Sequence, residues 1–203
     1  MKKLIGVALI IVLAGIPSYA ITGLGFGIHG GQTNNYKYEV INNDLAEIAD
    51  SLGLPVGSVK FNEDLTLIGA HVKVGTFPIL DFFGYIDYAW KKKEVASGID
   101  FKLSDFSVGA DARKNFGTMI LKPYVGVGFA MHRLAYSIET SLIQSPLIPE
   151  DQNKMGYHAL IGVELSPPMF PITPYAQYKY AWITTKDKAT KYGLIEAGIT
   201  FSL

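Results

Sequence analysis

The sequence predicts an all-β chain: an eight-stranded antiparallel up-and-down transmembrane β-barrel with a short helix in its first external loop. Three observations lead there. Blocks of apolar–polar alternation recur through residues 21–203, the period of a half-buried strand. The connections between blocks alternate between short turns and longer polar stretches. The chain holds 21 Gly, 12 Tyr and 11 Phe, yet only 18% of its 203 residues are charged, against about a quarter in a typical water-soluble domain.

Eight blocks are read, at 21–32, 65–77, 82–93, 98–113, 119–136, 155–166, 173–184 and 190–203. In the first, Leu24, Phe26 and Ile28 oppose Gly25, Gly27 and His29. In the second, Ile68, Ala70, Val72 and Val74 oppose Gly69, His71 and Lys73. The third sets Gly84, Ile86, Tyr88 and Trp90 against Tyr85 and Asp87, and the fourth sets Phe106, Val108 and Ala110 against Asp105, Ser107, Gly109 and Asp111. The fifth has Val125, Val127, Phe129 and Met131 against Tyr124, Gly126, Gly128 and His132. Tyr157, Ala159, Ile161 and Val163 face away from His158, Gly162 and Glu164 in the sixth, as do Ala176, Tyr178, Tyr180 and Trp182 from Gln177 and Lys179 in the seventh. The last places Gly193, Ile195, Ala197, Ile199, Phe201 and Leu203 opposite Glu196, Gly198, Thr200 and Ser202.

The connections at 78–81, 114–117 and 167–171 are short and turn-like. Those at 33–64 and 137–154 are long and polar, and those around Ser97-Gly98 and Thr185 to Thr190 are modest. Outer-membrane barrels have short periplasmic turns and longer external loops, and an even strand number returns both termini to one side.

The N-terminus predicts export. Lys2 and Lys3 precede an apolar run from Leu4 to Ile16, and Ser18 and Ala20 supply small residues before a break. This is the layout of a signal peptide cleaved after Ala20, the run being shorter than a spanning helix needs. Residues 21–203 then form the barrel domain. Formal net charge is zero, so no basic excess favours nucleic acid. Cysteine is absent, which excludes disulfides, thiolate metal sites, thiol catalysis and a lipid-anchored N-terminus.

Alternation alone does not say which face is inside. A soluble ligand-binding barrel would carry charge at most outer positions, whereas here the polar parity is largely Gly with one or two charges per strand. The polar set therefore reads as a narrow lumen. The predicted lumen network comprises His29, His71, Lys73, Asp87, Asp105, Asp111, Arg113, His132, His158, Glu164, Gln177, Lys179 and Glu196, with Lys73, Arg113 and Lys179 pairing with the carboxylates. All four His fall on this parity. No local His-x-His or His-x-x-x-His pair exists, so polar filling is expected rather than a metal site, although parity permits a cluster across strands.

Two aromatic belts are expected at the bilayer interfaces. Phe77, Phe82, Phe83, Phe116 and Phe170 would form one, and Tyr88, Trp90, Tyr136, Tyr180 and Trp182 the other. Trp90, Lys91, Lys92, Lys93 and Trp182 are candidates for lipid-headgroup contact. In the first long connection, Asp44 and Glu47 resemble a capping box, and Leu45, Ile48, Ala49 and Leu52 share a helical face.

The segment from Tyr192 to Leu203 resembles the C-terminal sorting strand of bacterial outer-membrane proteins, with apolar residues at every second position. It departs from the usual pattern in ending on Leu203, with Phe201 two residues earlier. The whole of 21–203 resembles the OmpA/OmpX-like, porin-related superfamily of eight-stranded outer-membrane barrels. That resemblance implies an outer-membrane location, contact with outer-membrane lipids and lipopolysaccharide, and insertion by the barrel assembly machinery; a closed barrel leaves no open sheet edge, so a monomer is expected. It implies an architecture more than an activity. Membrane-embedded enzymes occur among such barrels, and Ser107 with a lumen His and Asp is one conceivable grouping, but no family signature accompanies it. No catalysis and no cofactor is expected. A structural or adhesive scaffold presenting external loops is the expected function. A narrow pore is the alternative, favoured by glycines that would leave water-accessible space.

Overall fold

In the computed structural model, the residues described are 23–36, 50, 63–75, 80–96, 99–116, 120–140, 152–167, 170–184 and 189–202. The signal peptide at 1–20, Phe77, Leu203 and, apart from Asp50, the predicted loop helix at 44–52 lie outside them. Eight strands follow in chain order: β1 (Leu24–Asn34), β2 (Thr66–Val74), β3 (Asp81–Ala96), β4 (Ile99–Asn115), β5 (Leu121–Thr140), β6 (Gln152–Leu165), β7 (Ile172–Thr184) and β8 (Ala189–Ser202). Each pairs antiparallel with its chain neighbour, and β1 closes on β8 from Gly25↔Ser202 to Asn34↔Gly193. Closure removes the open edges that a sheet would otherwise present.

The period-2 pattern forms these strands because each must face two environments. Even positions on β1, for instance, point outward and odd ones inward. The outer face is apolar and bare: Val127 is 65% exposed, Met131 62% and Ile28 61%. These side chains ring the barrel as a continuous hydrocarbon-facing band, larger than the patches a soluble monomer exposes. Phe82, Phe116 and Phe170 lie exposed near the short turns. Phe83, expected with them in the belt, instead has inward parity and is buried, a correction to the sequence reading.

Hydrogen bonds tie off both ends. At the turn end Phe116 N–H donates to Pro123 O at 2.7 Å, Ser166 N–H to Ile120 O at 2.7 Å, and Ser202 N–H to Pro171 O at 2.8 Å. At the loop end Thr33 and Leu65 bond twice, Thr33 N–H to Leu65 O at 2.9 Å and Leu65 N–H to Thr33 Oγ1 at 2.7 Å. Just beyond β1, Asn35 adopts φ 54°, a left-handed turn that Asn tolerates better than most residues.

β3, β4 and β5 are longer than expected, at 16, 17 and 20 residues. Pairing with β2 stops at Thr66↔Trp90 and with β6 at Leu134↔Gln152. Beyond those points the three strands pair only among themselves, up to Ala96↔Ile99 and Ile99↔Thr140. At the loop end this mutual ladder carries β3 and β5 past the bounds that alternation gave, to Ala96 and Thr140.

Candidate functional site: the barrel lumen

The polar side chains of the inward parity are buried inside the barrel, Lys73 partly so, and they meet in layers along the axis. Nearest the short turns, Lys73 Nζ donates to both carboxylate oxygens of Glu164 at 2.8 Å and lies 3.1 Å from Asp81 Oδ2. Asn115 Nδ2 donates to Asp81 Oδ2 at 2.6 Å, and Ser166 Oγ to Glu164 Oε1 at 2.9 Å. Above this layer Arg113 spreads over Phe83, its Cζ 3.4 Å from the ring centroid, with Tyr124 and Tyr175 at 5.2 and 5.5 Å. A guanidinium enclosed by three rings, and bonded to Asp111 at 2.9 Å, fills the bore with both cation–π and ionic contacts.

The middle layer is a polar and charged network drawn from all eight strands. Asp111 accepts from His158 Nε2 at 2.6 Å and lies 3.7 Å from Lys179 Nζ. Lys179 sits over the Tyr85 ring at 4.1 Å and reaches Glu196 Oε2 at 3.3 Å. Glu196 Oε1 accepts from Tyr175 Oη at 3.0 Å and from Gln177 Nε2 at 2.8 Å, while Tyr124 Oη donates to Gln177 Oε1 at 3.0 Å. Beside it His29 Nε2 meets Asp87 Oδ1 at 2.6 Å, His29 Nδ1 meets His71 Nδ1 at 3.1 Å, and His71 Nε2 meets Thr200 Oγ1 at 2.9 Å. Toward the loops, His132 Nδ1 and Asp105 Oδ2 pair at 2.8 Å. Such networks stabilise only when nearly every buried group finds a partner.

Sequence parity paired the carboxylates with Lys and Arg alone. The register instead gives Asp87 and Asp105 to imidazoles, and Asp111 to an imidazole as well as to Arg113 and Lys179.

The inward glycines stand beside imidazoles, as a narrow and crowded interior requires. His29 lies opposite Gly69, His71 opposite Gly27 and His158 opposite Gly128. A Cβ on Gly69 would overlap His29 Nε2 and Asp87 Oδ1, one on Gly27 would overlap His71, and one on Gly128 would overlap His158 and Asp111. On Gly156 it would come within 2.8 Å of His132 Nε2. The space a glycine vacates is occupied by its neighbour's imidazole.

A second feature was not anticipated. At the loop end the inward positions turn apolar: Leu65, Leu67, Phe101, Leu103, Ile183 and Leu194 are all buried. They lie on the loop side of Asp105 and His132. Between this plug and the charge network lies a cavity of about 20 Å³, lined by residues including Asp105, Ser107, His132 and Tyr192, room for about one water molecule. The signal was present, because these residues share the parity of the lumen His, but reading the polar parity as the lumen hid its apolar members.

The Lys91–Lys93 run is split by the pleat. Lys91 and Lys93 turn inward to Glu63 at 3.9 and 2.7 Å, whereas Lys92 faces outward and pairs with Asp100 at 3.0 Å. The hydrogen bond and charge of Lys93 hold the Glu63 carboxyl below its usual range. Trp90 stacks on Tyr88 with centroids 5.5 Å apart, and Trp182 meets Tyr180 edge-on at 4.8 Å.

No protein-family model and no curated protein matches the chain. Solved structures do. Neisserial surface protein A (NspA) superposes with a TM-score of 0.57 at 19% identity, over 90% of this chain and 97% of that one. Ail, the attachment invasion locus protein of Yersinia pestis, gives 0.54 at 13% identity, over 89% and 97%. The chain shares the fold of these eight-stranded outer-membrane barrels.

Proposed function

We propose that the protein is an exported outer-membrane barrel whose lumen is closed, a monomeric scaffold that holds its external connections at the cell surface. The observation that carries this reading is the filled bore: the Lys73–Glu164 layer, the caged Arg113, the charge network and the leucine-rich plug occupy it from end to end. Eight strands enclose just enough room for side chains to do this. The fold supports insertion by the barrel assembly machinery and residence among outer-membrane lipids. Ail, of the same fold, is known in complex with the heparin analogue sucrose octasulfate, which supports reading such a scaffold as a recognition platform. Catalysis is not part of the proposal. Ser107 pairs with His132 across β4–β5 and Asp105 bonds His132, but all three are buried.

The purified protein, reconstituted in planar bilayers, is expected to give no ion-conducting steps at insertion levels verified by gel mobility. Reproducible single-channel steps would sink the closed-barrel reading in favour of a pore.

Lipid contact is assigned to the outer face just above the Trp90 level. There Lys92 lies directly opposite Lys102 on β4, both exposed. Like charges facing across a ladder are unfavourable; Asp100 offsets part of this contact through its 3.0 Å ion pair with Lys92, and an anionic headgroup or lipopolysaccharide phosphate between the two lysines would offset more of it. Each Lys near an anionic surface contributes about 1 kcal/mol. Lys92→Glu with Lys102→Glu should therefore weaken the dependence of folding yield on the anionic lipid fraction of vesicles, read by Trp fluorescence. An unchanged dependence rejects this assignment.

A further inference from the structure

We propose that the lumen binds one divalent first-row transition-metal ion, held by His29, Asp87 and Glu196 from β1, β3 and β8, with His71 as outer-shell support. One ligand atom from each of the three residues lies within 4.8 Å of the others, and all three residues are buried. His29 Nε2 is already 2.6 Å from Asp87 Oδ1. Metal–ligand bonds of about 2.0–2.2 Å space neighbouring ligands about 3.3 Å apart in a tetrahedron, so the cluster needs adjustments of about 1 Å. Imidazole with two carboxylates is a donor set that suits Zn²⁺, Ni²⁺, Cu²⁺ or Co²⁺ better than Ca²⁺ or Mg²⁺.

Two further observations point to an ion. Glu196 is 1% exposed and its Oε1 is satisfied by Tyr175 and Gln177, yet its Oε2 makes no hydrogen bond. Its ion-pair partner among the described residues is Lys179 Nζ, at 3.3 Å, and the same ammonium lies 3.7 Å from Asp111. A bound ion would take over that oxygen, leave Lys179 to Asp111, and cancel the charges of Asp87 and Glu196. The outer shell is also built. With Nε2 on the metal, the Nδ1–H of His29 donates to His71 Nδ1 at 3.1 Å, and the Nε2–H of His71 donates to Thr200 Oγ1 at 2.9 Å. A ligating His that hands its second N–H to a fixed acceptor is the arrangement that orients metal-bound imidazoles. Gly69 and Gly198 flank His29 on the adjoining strands, and a side chain at either would invade the site.

The test loads the ion during folding, because the plug and Arg113 seal both ends of the bore. The full-length chain is refolded from urea into detergent with Zn²⁺, dialysed against metal-free buffer, and its metal measured by mass spectrometry. The expected result is about one Zn²⁺ per folded barrel, falling at least tenfold in Glu196→Gln and unchanged in His132→Gln. Less than a tenth of an equivalent in the wild type overturns the proposal, as does equal loss in His132→Gln. Should Glu196→Gln fail to fold, the wild type loaded with Cu²⁺ decides: nitrogen hyperfine splitting in its electron paramagnetic resonance spectrum is expected, and an all-oxygen spectrum overturns the site.

Discussion

Asp111→Ala is expected to lower the unfolding free energy of the barrel by about 3–5 kcal/mol. Asp111 is 1% exposed and stands at the crossing of three cationic or proton-donating groups: His158 at 2.6 Å, Arg113 at 2.9 Å and Lys179 at 3.7 Å. Removing it leaves the buried guanidinium and ammonium without the carboxylate they share. Arg113 keeps its aromatic cage, but Nε and NH1 already lack hydrogen bonds, so loss of Asp111 strips its one ion-pair partner among the described residues. Asp111→Asn keeps the shape and one acceptor, so its cost should be smaller. The measurement is the urea midpoint for refolding into lipid vesicles, with the temperature of the gel-mobility shift as a second reading. A loss below about 1 kcal/mol for the Ala variant would mean that the lumen is hydrated and the network weak.

Gly128→Val is expected to cost more than about 3 kcal/mol, enough to abolish the folded band on gels. Its Cβ would meet His158 Nε2, Asp111 Oδ1 and the backbone oxygen of Ala110. The first two belong to a buried ion pair that cannot retreat, and the third is part of the ladder. Gly84→Val supplies the contrast, because nothing lies within 4 Å of its Cβ direction on the outer face. That variant should fold normally and gain a lipid-facing methyl pair. If both behave alike, the glycines are tolerated spacers rather than sockets for the imidazoles.

These two predictions separate what sequence carries from what it cannot. Gly84 and Gly128 are indistinguishable as letters, and parity alone places one outside and one inside. It does not say that Gly128 will lie opposite His158, because that depends on the β5–β6 register. The same holds for His29 and His71. They are 42 residues apart and touch because β1 and β2 pair Gly27 with His71 and His29 with Gly69. Arg113 shows the limit from another side: its charge suggested a carboxylate partner, while its enclosure by Phe83, Tyr124 and Tyr175 required three strands to converge. Phe83 itself was misplaced because an aromatic beside a turn resembles a belt residue, although its parity with Tyr85 and Asp87 pointed inward.

The alternation of short-period blocks, the outward apolar parity and the spacing of turn residues were enough to determine eight strands, their order and which side chains meet hydrocarbon. Those properties are local, since a pleated strand flips its side chains every residue whatever its neighbours are. Which imidazole finds which carboxylate, where leucines seal the bore and whether a glycine makes a gap or a socket were decided only in the closed barrel. Each depends on register and on the shear of closure, which set distances between residues that no local pattern relates.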